Sequence, residues 1–159
     1  MPQRVKRRFA ARTALLAAVA WLACGPSALA QSPVDVATRW GLLGGWMLDC
    51  GKPVGPSNAL LSFVVRDGKV IHDRNFGDSR DSNPVVAAKL ARNGMIDVSI
   101  YFSGLSQTRQ IEWIKDPAGR LRAISNRNVD TNEFTVKDGI LTANGQETRW
   151  QTRCAKGQN

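Results

Sequence analysis

The chain has one histidine, one tyrosine and three cysteines in 159 residues. A single imidazole, His72, excludes a metal centre built on several histidines and leaves one candidate for Ser-His-Asp chemistry. It falls mid-strand beside Asp73, where a surface or half-buried strand histidine is the ordinary reading. Cys-x-x-Cys, a Gly-rich phosphate loop and Gly-x-Ser-x-Gly are all missing, so dithiol redox, nucleotide and hydrolase signatures are absent. No apolar run reaches the about 20 residues that a membrane-spanning helix needs. After residue 30 there is no basic run or stripe of the kind that marks a nucleic-acid protein. Asp73, Asp78 and Asp81 crowd one stretch, but their spacing departs from a calcium loop, and Arg74 and Arg80 compete for the carboxylates. The expectation is a protein that is not an enzyme and carries no metal or cofactor.

What is present begins at the N-terminus. Met1 to Arg12 carries Arg4, Lys6, Arg7, Arg8 and Arg12 and no acid, and an apolar run from Thr13 to Ala23 follows. Ala28-Leu29-Ala30 then supplies small residues for a cut after Ala30, so residues 1–30 read as a secretory signal. Its five basic residues leave with it. The remaining chain has 17 Lys and Arg (22 less 5) against 13 Asp and Glu, a net charge of +4 rather than +9. Trp21-Leu22-Ala23-Cys24 also resembles a lipoprotein cleavage box. The expected location is therefore periplasmic or secreted, with an outer-membrane lipoprotein anchored through Cys24 as the alternative.

Residues 31–159 suffice for a single domain with one core. Ser32-Pro33 is a helix-start signal, and Val36, Trp40 and Leu43 recur at helical spacing before Gly44-Gly45, which predicts a short helix from Pro33 to Leu43. Short apolar runs punctuated by Gly, Asn, Asp and Pro follow, as in an all-β domain. Asp67-Gly68 marks a tight hairpin between runs 58–66 and 69–76. A polar loop is expected from Gly77 to Asn83, then strands over 85–91, 95–102, 107–115 and 121–129, and a last stretch over 133–154. Ile96, Val98, Ile100 and Phe102 alternate inward. Short links favour an antiparallel meander, which avoids exposed edges best by closing into an eight-stranded barrel. Closure would bring the first and last strands together and let Cys50 bond Cys154, as an oxidising compartment permits.

Gly44-Gly45-Trp46, entering the first strand after a short helix, resembles the Gly-x-Trp signature of lipocalin-like (calycin-type) barrels, here a small secreted one of Gram-negative bacteria. The resemblance covers that tripeptide and the topology; the family's Thr-Asp-Tyr signature is missing, Val129-Asp130-Thr131-Asn132 being the nearest stretch. It implies that Trp46 plugs one barrel end under a stacked arginine, Arg153 being preferred to Arg149. It also implies a cavity for a small apolar or amphipathic molecule. Candidate cavity residues are Trp113, Trp150 and Arg127, the last as an inward partner for a ligand carboxylate or phosphate on the face Leu121, Ala123, Ser125 and Arg127. An edge-type strand with a charged face is the competing reading of that segment. The competing function is a protein-binding module of the cell envelope, an enzyme inhibitor or assembly factor, with a packed interior and no ligand.

Overall fold

The computed structural model describes residues 31–91 and 93–155; the leader and Cys24 lie outside them. Helix α1 spans Pro33–Trp40, with the Ser32 hydroxyl accepting from the Asp35 amide at its N-cap. It stops one turn earlier than the sequence predicts. Gly41, in the left-handed region (φ 74°), caps the last carbonyls instead of Gly44-Gly45.

The strands are β1 (Gly44–Met47), β2 (Leu60–Arg66), β3 (Lys69–Asn75), β4 (Arg80–Leu90), β5 (Ile96–Phe102), β6 (Gln107–Lys115), β7 (Leu121–Asn128), β8 (Phe134–Lys137), β9 (Ile140–Leu141) and β10 (Thr152–Cys154). All ten are in one antiparallel sheet, ordered β10-β1-β2-β3-β4-β5-β6-β7-β8-β9. The end strands, β9 and β10, do not pair, so the ladder is not closed as the sequence reading expected. Hydrogen bonds do cross: Leu121 and Gln151 exchange amide and carbonyl at 2.9 and 2.8 Å and the Thr148 hydroxyl donates to the Ala123 carbonyl at 2.6 Å, tying the approach to β10 onto β7.

β4 begins five residues earlier than predicted, at Arg80, and contains Pro84. The strand changes partner there. Residues 80–84 pair with β3 and residues 85–90 pair with β5, with an extra residue, Val86, at the changeover. A proline is tolerated at such a point because its missing amide interrupts no ladder.

The turns at 67–68, 93–94 and 116–119 share one end of the meander with α1, as alternate links of an antiparallel sheet must. At this end α1 lays Val36 and Ala37 on a core of Leu42, Trp46, Val70, Ile96 and Leu121. Loops 48–59, 76–79 and 103–106 lie at the other end. The Cys50–Cys154 disulfide joins the chain just after β1 to β10, with Cα atoms 5.5 Å apart. It fits an oxidising, extracytoplasmic compartment. Among the described residues no helix is long and apolar enough to cross a membrane.

Candidate functional site

The inner face of β2, β3, β5, β6 and β7 encloses an open cavity of about 820 Å³. That is within the about 300–1,000 Å³ of small-molecule sites. Its walls carry Leu61, Phe102, Ile111, Trp113 and Ala123, and its mouth Pro56, Ser57, Phe76, Gln146 and Arg149. Polar wall positions are His72, Arg74, Asn126, Thr148 and Gln151.

The most buried polar residue of the lining is His72, only 3% exposed. The two-residue turn at Asp67-Gly68 sets Arg66 opposite Lys69, and the same register sets Phe63 opposite His72. The two rings stack at 4.4 Å, while Phe102 and Trp113 meet the imidazole edge-on at 6.3 and 6.4 Å. Both imidazole nitrogens are sealed from solvent without a hydrogen-bond partner. Burial, reinforced by Arg74 and opposed by Asp81, pushes its pKa down from the usual 6.5 to about 3. His72 is therefore a buried neutral ring, not the half-exposed strand residue that the sequence suggests.

A pH dependence follows. The unfolded chain binds this proton near pH 6.5, while the folded chain refuses it until about pH 3. Its contribution to stability is whole above pH 6.5 and declines by on the order of 1.4 kcal/mol per pH unit below it. Asp81 acts in a lower window. Its hydrogen bond from Arg74 holds its carboxyl below the usual range, and that stability is lost only as the pH falls through its own titration. Urea midpoints measured between neutral pH and pH ~4.5 should fall steeply in the native protein and less in His72→Phe by that one-proton slope. Parallel slopes would show that His72 titrates normally.

Two residues further along β3, Arg74 donates from Nε to Asp81 at 2.8 Å and from Nη2 to its other oxygen, and its guanidinium lies 4.6 Å from the Phe102 ring centroid. Asn83, 1% exposed, donates to the same carboxylate at 2.7 Å. On β6, Arg109 also points inward and is buried. It donates to Asn126 at 2.6 Å and to Thr135 at 3.0 Å, and burial lowers its pKa.

The three candidate cavity residues separate. Trp113 lies in the wall. Arg127 does not: it donates to Gln110 and Asn132 and lines a charged depression on the outer face with Lys89 and Asp138. The reason is a β-bulge. Glu112 pairs with Ser125 but Trp113 with Ala123, leaving Ile124 extra. One extra residue reverses the facing of everything beyond it. Ala123 and Asn126 therefore face inward, and Ser125 and Arg127 outward. Trp150 is half-buried outside the cavity, with the guanidinium carbons of Arg122 and Arg120 at 4.8 and 5.7 Å from its ring centroid.

At the helix end, Trp46 is 1% exposed and donates to the Leu42 carbonyl at 2.8 Å. Arg153 lies 6.0 Å from its ring centroid and donates to the Leu43 carbonyl at 2.6 Å. The sequence reading missed a second cation. Lys115 stands 4.1 Å from the Trp40 ring and 5.9 Å from that of Trp46, and caps the Trp40 and Gly41 carbonyls at 2.5 and 3.2 Å. These are carbonyls at the C-terminal end of α1, where a cation is favoured. Burial, and the nearby charge of Arg153, lower the Lys115 pKa.

Among the described residues no three His, Cys, Asp or Glu side chains converge as a metal site. Asp73 is taken by Arg66 and Ser82, and Asp81 by Arg74. Comparison with protein-family models, with curated proteins and with solved structures found no match.

Proposed function

We propose that the protein is a periplasmic or secreted barrel of lipocalin-like type that binds a small apolar or amphipathic molecule. In this reading β1 to β7 and the segment leading into β10 form the eight staves. The Leu121–Gln151 hydrogen-bond pair supports that closure. Trp46 under Arg153 then acts as the plug of one end, and the leader directs export.

The observation that carries the reading is the open cavity of about 820 Å³ with an aromatic floor. An interior serving only as the frame of a protein-binding module gains stability from being filled, because native cores leave few voids larger than a water. Here Ala123 stands opposite Trp113 in the wall, where a larger residue would close the space.

The test is a native mass spectrum of the protein from its envelope fraction, paired with Ala123→Phe. We expect extra non-covalent mass that solvent extraction removes, and at least tenfold weaker binding of a fluorescent apolar probe in the variant at unchanged fold. A bare mass with no probe binding by either protein would reject the carrier in favour of the envelope module.

A further inference from the structure

The charges around the cavity do not cancel. Arg74 is matched by Asp81, and Glu147 in the lining is matched by Arg122 at 3.3 Å. Arg149 at the mouth has no carboxylate within 4 Å among the described residues; it touches only the Ser57 carbonyl, at 3.4 Å. Arg109, directly behind the lining residue Asn126, bonds only neutral groups, with Glu133 acting on it at longer range. Arg109 lies early in β6, next to loop 103–106, so both unmatched cations stand toward the mouth. Deeper in the cavity the lining is of the opposite kind: His72 stacked on Phe63, with Trp113 edge-on, and no lining cation without its carboxylate, Lys115 lying beyond the lining against Trp40 and Trp46.

From this polarity we infer that the cavity takes an amphipathic anion tail-first, with the apolar tail on the aromatic floor and the carboxylate or phosphate head at the mouth beside Arg149. The inference rests on the carrier reading and specifies its ligand class. Burying the head would strip its water against an aromatic lining that presents no unpaired cation to it. Left at the mouth it stays hydrated and gains the attraction of an exposed arginine. A pair of that kind is worth up to about fivefold in affinity and is weakened by salt.

Laurate, dodecyl phosphate, 1-dodecanol and dodecylamine share one tail and differ in the head. Titrated below their micelle-forming concentrations against tryptophan fluorescence, both anions should bind about fivefold tighter than the alcohol, and the amine weakest. The ranking of laurate against dodecyl phosphate separates a fatty-acid source from a phospholipid source. Arg149→Gln should bring the anions to parity with dodecanol and leave dodecanol unchanged. Arg127→Gln, on the outer face, should change nothing. Dodecanol binding as well as the anions would overturn the inference and leave the carrier standing. Anion preference that survives Arg149→Gln would overturn the placement of the head. Binding of none of the four would remove both.

Discussion

The variant with Cys50 and Cys154 both changed to Ser is expected to melt on the order of 10–20 °C below the native protein. The bridge spans a sequence separation of 104. In the chain-entropy model a loop of that length is worth about 4.7 kcal/mol, and removing a native bridge from a small secreted domain typically costs about 2–5 kcal/mol. The loss should not be spread evenly. Loop 49–58 has its own staple: the Asn58 amide donates to the carbonyls of Asp49, Lys52 and Pro53 and accepts from the Asp49 amide. β10 has only three residues, paired with Gly45, Trp46 and Met47. Hydrogen exchange should therefore rise first in β10, while the Asn58 loop stays protected until global unfolding. A melting temperature within about 3 °C of native would mean that the bridge adds nothing to what the β1–β10 pairing already supplies.

How far the sequence could lead depends on which devices announce themselves. Turns with positive-φ residues do. Asp67 (φ 50°) and Gly68 (φ 71°) form the expected two-residue turn, and counting back from it places His72 opposite Phe63. That count places His72 on the same face as Phe63, whose side chain is buried. The ordinary habit of a lone strand histidine, exposed or half-buried, points the other way. The alternation of Ile96, Val98, Ile100 and Phe102 is likewise what the buried face of β5 shows.

Bulges do not announce themselves. Neither Val86 nor Ile124 is a glycine or a proline, and each resembles any other strand residue. Ile124 is made possible by a contact remote in sequence: its carbonyl accepts from the Gly139 amide at 2.8 Å, beyond β8. Strict alternation along β7 thus leads to Arg127 as an inward cation, whereas Arg127 faces outward and Arg74 and Arg109 point inward. The cavity is not legible in the sequence for a related reason. The sequence contains both large and small inward residues, and only the register shows that Ala123 faces Trp113.

Trp46→Ala should be the most destabilising single substitution at the helix end, costing about 3–5 kcal/mol in denaturant unfolding. It removes a side chain that is 1% exposed and frees the Leu42 carbonyl that the indole caps. Two neighbours separate packing from charge. Gly44→Ala acts through the backbone, because Gly44 has φ +131° and a Cβ there would lie 2.8 Å from Arg153 Nε. A residue forced into such a conformation costs about 1–3 kcal/mol. Arg153→Met keeps the aliphatic reach and removes the charge, for a loss of under about 1 kcal/mol at so exposed a site. The expected order is Trp46→Ala, then Gly44→Ala, then Arg153→Met. An Arg153→Met loss as large as that of Trp46→Ala would make the cation, rather than the buried indole, the element that closes this end. Lys115 argues for the indole: it already supplies a second positive charge near the same ring, and burial together with repulsion by the charge of Arg153 lowers its pKa. Removing Arg153 relieves that repulsion and offsets part of what its own contacts contribute, whereas nothing else in the core replaces Trp46.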